Sequence, residues 1–190
     1  HLLDLECEVE VVDPDLRSLW RCLAQAVHRP GSIDLHWSTG EAMPDLAPVD
    51  VAIAAEVLCY VENAKQVVQR IFDTLKPGGH LLCSVEARWG WAMGPDVHEG
   101  TIEAFLTDGV VHAPKDRWVR TYTESDFREL LAPFHIISLL PTHYALSGPF
   151  EAATGPLGIE AARQIEARLR EHPVAGPLNR AFTAVVQKPK

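Results

Sequence analysis

The chain lacks any apolar run near the roughly 18 to 20 residues that a membrane-spanning helix needs. It opens with neither a Met nor the basic and apolar blocks of a signal peptide, so the expectation is a soluble protein of the cytoplasm with no membrane partner. Cysteine is sparse: Cys7, Cys22, Cys59 and Cys83 lie 15, 37 and 24 positions apart, which excludes a CxxC pair or a zinc knuckle. Each sits in an apolar stretch and reads as a free thiol of the core. No two of the nine histidines stand four apart, the spacing that puts two ligands on one helix face, and no metal is expected. Positive charge is scarce too. Seventeen Lys and Arg stand against 26 Asp and Glu, for a net charge of −9, and the basic residues form neither patch nor stripe. A nucleic-acid partner is not expected, because phosphate binding needs clustered Lys and Arg.

What is present is the composition of one ordinary domain. At 190 residues, 47% hydrophobic and 23% charged, the chain can bury a sizeable core, and residues 1–190 show no repeat, low-complexity tract or second-domain boundary. After Asp13-Pro14-Asp15, residues Leu16, Leu19, Trp20, Leu23 and Val27 make a helical stripe that Arg29-Pro30-Gly31 stops. "IDLHW" alternates as a strand, and "VDVAIAA" from Val49 is another. Ala64, Val67, Val68, Ile71, Phe72 and Leu75 occupy one face of a helix, "KPGG" at Lys76 to Gly79 ends it, and "HLLCSVE" begins a strand. Strands alternating with helices of this length imply βαβ units and a parallel sheet with helices on both faces.

From Ala87 to Tyr122 the alternation breaks down, punctuated by Trp89, Trp91, Gly94, Pro95, Gly100, Gly109 and Pro114. Long irregular segments in compact domains are commonly functional. The pattern resumes with Thr123 as an N-cap and Asp126 at the capping-box position, then "HIISLL" as a strand, Ile159 to Leu169 as a helix and "RAFTAVVQKPK" as a last strand. The start poses a problem. "LLDL" and "VEVVD" both read as strands with about three residues between them, whereas two parallel strands need a crossover of roughly a dozen.

In their order these segments resemble the class I S-adenosylmethionine-dependent methyltransferases over nearly the whole chain. "LLDL" is similar to that family's first strand and "VEVVDPD" to its second with the terminal acid. "TGEAMPD" resembles the segment that packs on adenine, "VDVAIAAEVLCYVEN" the fourth strand and its turn, and "LKPGGHLLCSVE" the most recognisable signature of the group. The resemblance implies an α/β, Rossmann-like, doubly wound and mostly parallel seven-stranded sheet with an antiparallel last strand. It also implies a GxGxG loop after the first strand, which this chain does not show. The expectation is that this loop belongs between Leu5 and Glu6 and is missing from the chain as it stands. The alternative is a true deletion, with Leu2 to Val12 as one long strand and no cofactor site.

The resemblance implies S-adenosylmethionine as cofactor, S-adenosylhomocysteine as product and a small-molecule acceptor. Asp13, with Pro14 beside it, is implied as the ribose acceptor, Glu41 with the Ala42 amide as the adenine contact, Asp4 as the contact to the methionine end, and Ala55 and Glu56 as strand-end contacts. A strand-end Asp before Pro equally caps the following helix, and Glu56 equally serves as a capping acid. Tyr60 stands as a candidate to orient the acceptor and His98 as an acceptor-side base. Trp89, Trp91 and His98 are candidates to line an acceptor pocket within residues 87–122. Two other functions compete: a catalytically silent methyltransferase-like interaction domain, and a nicotinamide dehydrogenase, which would want a GxGxxG that is absent.

Overall fold

Parallel pairing sets the architecture of this computed structural model, which describes residues 2–92, 99–112, 118–144 and 158–190, without the side chains of 92 and 99–101. Strand β1 (Glu8–Asp13) pairs in parallel with β2 (Ser32–Trp37), and the crossover that parallel pairing demands is helix α1 (Leu16–Ala26). Strand β3 (Val49–Ala55) pairs in parallel with β4 (Leu75–Glu86) across helix α2 (Ala64–Thr74). Beyond β4 follow α3 (Arg88–Ala92), α4 (Glu99–Leu106), the antiparallel pair β5 (Val110–His112) and β6 (Trp118–Arg120), and α5 (Glu124–Leu130). Next come β7 (His135–Thr142), α6 (Ile159–Glu171) and β8 (Ala181–Gln187). Strand β8 enters antiparallel between β4 and β7, giving a four-stranded sheet of order β3–β4–β8–β7 beside the two-stranded β1–β2.

Among the described residues six strands thus fill the two sheets where seven were expected, and the difference lies at the start. Leu2–Leu5 is not a strand but one 3₁₀ turn. Glu6, in a left-handed conformation at φ 58°, leads from it straight into β1, and the Glu6 amide donates to Leu3 O at 3.2 Å. Two residues cannot carry the chain across a sheet layer, so the apolar "LLDL" closes locally instead. Among the described residues, β1 and β3 each pair along one edge only.

Register assigns the two faces of the larger sheet. Ala52, Leu81 and Val186 share one face with Ala54, Cys83 and Ala184. That face joins Val67 and Val68 of α2 and Phe127 and Leu130 of α5 in a single core cluster. The other face carries Ile53 and Leu82 in register, and both are exposed, as are Val51 and Leu140. The sequence-level signals at helix starts hold: Asn63 caps α2 through Gln66 N, and Thr123 with Asp126 forms a complete capping box on α5. "KPGG" is absorbed into the long β4, where Gly78 takes φ 79° and a Cβ on Gly79 would stand 2.9 Å from Lys76 O. All four cysteines are free thiols, Cys59 and Cys83 buried, Cys7 and Cys22 half-buried. No helix among the described residues is long and apolar enough to cross a membrane.

Leu81 lies at the centre of the covered face with no exposed surface. Leu81→Ala is expected to lower stability by about 2–5 kcal/mol in urea unfolding, whereas Leu82→Ala on the open face should cost far less.

Candidate active site at the carboxyl edge

The first step toward a site is to bring the two sheets' carboxyl ends to one side. The segment after β2 does this by docking on the N-terminus of α2, which itself follows the carboxyl end of β3. The Asn63 amide donates to Glu41 Oε1 at 3.2 Å, Gln66 Nε2 donates to Glu41 O at 3.2 Å, and Arg70 donates to Met43 O at 2.9 Å. Burial pushes the Glu41 carboxyl up. Its bonds from the Glu41, Asn63 and Glu62 amides and the Thr39 hydroxyl together outweigh that and hold it below the ordinary range. Trp37, the last residue of β2, donates its indole N–H to Pro14 O at 2.9 Å, which ties the end of β1 to the same edge. Asp13, Pro14, Glu41, Ala55 and Glu56 therefore share one edge of the molecule.

The bonds these residues make refine the sequence reading. Asp13 Oδ1 accepts the Asp15 amide at 2.7 Å, and Asp15, not Asp13, is the N-cap of α1. Oδ2 of Asp13 accepts no bond among the described residues, so one oxygen is available to a hydroxyl ligand. Glu41 and the Ala42 amide are engaged locally, the latter with Thr39 Oγ1 at 3.3 Å. Glu56 is a non-glycine residue at φ 55°, with its amide donating to Ser84 Oγ at 3.0 Å. Left-handed backbone of this kind costs roughly 1–2 kcal/mol and concentrates at functional turns. Asp4 goes elsewhere. It ion-pairs with Arg29 beside the start of β2, where Leu3 O accepts the Gly31 amide, and so lies at the amino ends of β1 and β2, remote from Asp13.

Of the residues expected near an acceptor, Tyr60 closes a turn after β3 and is 42% exposed. Burial raises its phenol above the ordinary value, with Glu86, Cys59 and Glu56 adding to the rise. Trp89 is exposed and leans on Phe105 at 6.4 Å between centroids. Trp91 belongs to the buried core. His98 lies outside the described residues.

A pair that sequence reasoning passed over stands at the end of β4. Glu86 closes that strand with its side chain 8% exposed, and Arg180 Nε donates to Glu86 Oε2 at 2.8 Å. The Arg180 guanidinium covers the Trp91 ring, 5.2 Å from its centroid. The Glu86 amide reaches Cys59 Sγ at 3.0 Å, locking the turn after β3 to the end of β4. No local signal announces a contact spanning 94 positions; only the acid at the end of a long apolar strand hinted at it. Next to this edge lies a groove of about 470 Å³, lined in part by Lys65, Arg88, Asp108, Arg120 and Tyr122. Arg120 and Glu62 also line a neighbouring cavity of about 300 Å³ with His112 and Trp118. Described residues between Arg88 and Tyr122 thus supply much of both walls.

Comparison with known proteins adds the following. The sequence profile of the methyltransferase domain matches residues 3–134. No curated protein matches the chain. Among solved structures it resembles an S-adenosylmethionine-dependent methyltransferase from Methanosarcina mazei, 15% identical with TM-score 0.63, covering 99% of this chain and 85% of that one. It is likewise similar to an S-adenosylmethionine-dependent methyltransferase from Mesorhizobium loti, 17% identical with TM-score 0.66, covering 95% and 80%. A third likeness is to the N-methyltransferase NodS from Bradyrhizobium japonicum, solved with S-adenosyl-L-homocysteine, 14% identical with TM-score 0.57, covering 96% and 67%. At these identities the structures speak for the Rossmann-like fold.

Proposed function

The chain belongs to the methyltransferase-domain family, and on that premise we propose that it moves the methyl group of S-adenosylmethionine to a small-molecule acceptor by in-line displacement. The observation that carries this reading is the gathering of Asp13, Glu56 and Glu86 at the carboxyl ends of parallel strands, where open α/β sheets bind ligands. Asp13 Oδ2 and the Glu56 turn are the cofactor-side groups, Asp13 toward the ribose diol. Glu41 and Ala42 shape the adenine side through the loop that they brace on α2. Such a displacement needs the acceptor lone pair in line with the carbon–sulfur bond, so positioning supplies much of the rate. S-adenosylmethionine brings a sulfonium whose methyl carbon is the electrophile; the chain's task is to hold the partners and exclude water.

The acceptor side is assigned to residues 87–122, because this segment follows β4 and its described residues Arg88, Asp108, Arg120 and Tyr122 line the groove at the start of α2. Its mixture of Trp89, Trp118 and charged side chains, in a chain of net charge −9, suits a neutral or cationic, partly apolar small molecule better than RNA. Trp91 contributes as the floor under Arg180 rather than as a lining residue. The edges of β1 and β3 that no described residue pairs and the two-residue link after Leu5 support a further part of the reading: about ten to twenty residues, a glycine-rich loop among them, belong between Leu5 and Glu6. Peptide mapping of the native protein across Leu5 and Glu6 checks this, with extra residues expected between them. A peptide running directly from Leu5 to Glu6 returns the domain to the silent, interaction-module reading.

Calorimetry with S-adenosylhomocysteine tests the cofactor. Asp13→Ala is expected to weaken binding by roughly 1.5–3 kcal/mol, the range for a hydrogen bond to a charged group, and Trp89→Ala to leave it within about threefold while slowing transfer. No measurable binding by the unaltered protein would refute the proposal.

A further inference from the structure

Glu86 differs from the other carboxylates of the edge in being closed in. Only 8% of its side chain is exposed, its Oε2 is held by Arg180, and its Oε1 accepts from no described residue. Yet Oε1 is not sealed: the single buried side-chain nitrogen or oxygen without a partner among the described residues is Arg88 Nε. The carboxylate therefore keeps one unbonded oxygen within reach of solvent at the end of β4, beside the Tyr60 turn. Its placement is stiff. The Glu86 carbonyl accepts the Tyr122 amide at 2.9 Å, its own amide is held by Cys59 Sγ, and Arg180 is braced on Trp91 while its amide donates to His143 O at 2.9 Å. A preorganised carboxylate with a vacant lone-pair site, placed where an acceptor would approach, is the equipment of a proton acceptor.

Resting on the methyltransferase reading, we propose that Glu86 is the general base of the transfer and that the acceptor is an O–H or N–H compound. As the heteroatom's lone pair bonds the methyl carbon, the carbon–sulfur pair returns to sulfur, the sulfonium becomes a neutral thioether, and the heteroatom's proton passes to Glu86 Oε1. Every charged or titratable group acting on Glu86 bears on its basicity. Burial raises its carboxyl above the ordinary value, Arg180 offsets this by charge and hydrogen bond, Glu56 adds to the rise, and His143 opposes it. Cys59 and Tyr60 face it in their neutral forms, since both are themselves pushed up, Cys59 to about 12. The net upward displacement gives a stronger base than a solvated carboxylate.

The test uses the full chain, labelled S-adenosylmethionine and two probe acceptors: phenol, which must lose a proton, and N,N-dimethylaniline, which has none to lose. Glu86→Gln is expected to slow phenol methylation about 100-fold or more, the scale of general-base catalysis, and to leave N,N-dimethylaniline within about threefold. The acid limb of kcat/KM for phenol reports the ionised carboxylate. Arg180→Met removes a stabilising cation, raises the carboxyl pKa and should move that limb to higher pH; this profile decides the matter if Glu86→Gln fails to fold. Equal losses for both probes, an unmoved limb, or a wild type that binds cofactor and methylates neither probe overturns the proposal. Failure of the underlying reading shows separately, as absent cofactor binding in calorimetry.

Discussion

The carboxyl edge depends on one strand, β4, and on its obligation to pair with two partners of opposite direction. Along β3 it runs parallel, which forces α2 to cross one face and brings the Asn63 cap and its docked loop to the strand ends. Along β8 it runs antiparallel, which puts Glu86 opposite Ala181 and Arg180 within reach of its carboxylate. Neither partner alone would make the edge. The buried apolar ladder of Leu81, Cys83 and Val85 holds the register, and a slip of one residue would turn Glu86 into the core and Leu81 toward solvent.

The same strand explains how a buried acid is tolerated. An uncompensated carboxylate in the interior is costly, and Arg180 offsets much of that cost with a bond of 2.8 Å. Arg180 is 29% exposed and its guanidinium stands over the Trp91 ring, so its own desolvation is partial and the ring face meets its charge. Trp91 therefore serves the edge from below. Its place in the core makes sense of a tryptophan-rich segment that is otherwise half-exposed, and it separates Trp91 from the solvent-facing Trp89 two residues earlier. Gly90, between them, is pressed so closely on the chain before β8 that a Cβ would fall 1.9 Å from Asn179 O, and no other residue fits there.

Much of this was legible in the residues. The stripe through Val67, Val68 and Ile71, the capping box at Thr123, and the apolar runs that became β3, β4, β7 and β8 all carry local signals, because burial imposes period and caps impose residue type. The turn at Leu2–Leu5 was not, since its strand-like residues override nothing locally and only the length of the following link forbids pairing. Asp13 and Glu41 were recognisable as strand-end and loop acids, yet not that Asp13 spends one oxygen on Asp15 or that Glu41 is tied to Asn63. Asp4 follows the same local closure as Leu2–Leu5: in the 3₁₀ turn it stands at the amino ends and meets Arg29. Glu86 and Arg180 were invisible as a pair, being joined only by the antiparallel insertion of β8.

The account's central claim is that one edge of the molecule, the carboxyl ends of β1, β3 and β4, is where ligand and chemistry meet. Amide chemical shifts followed while S-adenosylhomocysteine is added to the labelled protein test it most directly. The account predicts saturable shifts at Asp13, Asp15, Glu56, Tyr60 and Glu86, with Gly31 and Gly78 at the opposite edge unmoved. Shifts confined to that opposite edge, or none at all, would contradict it.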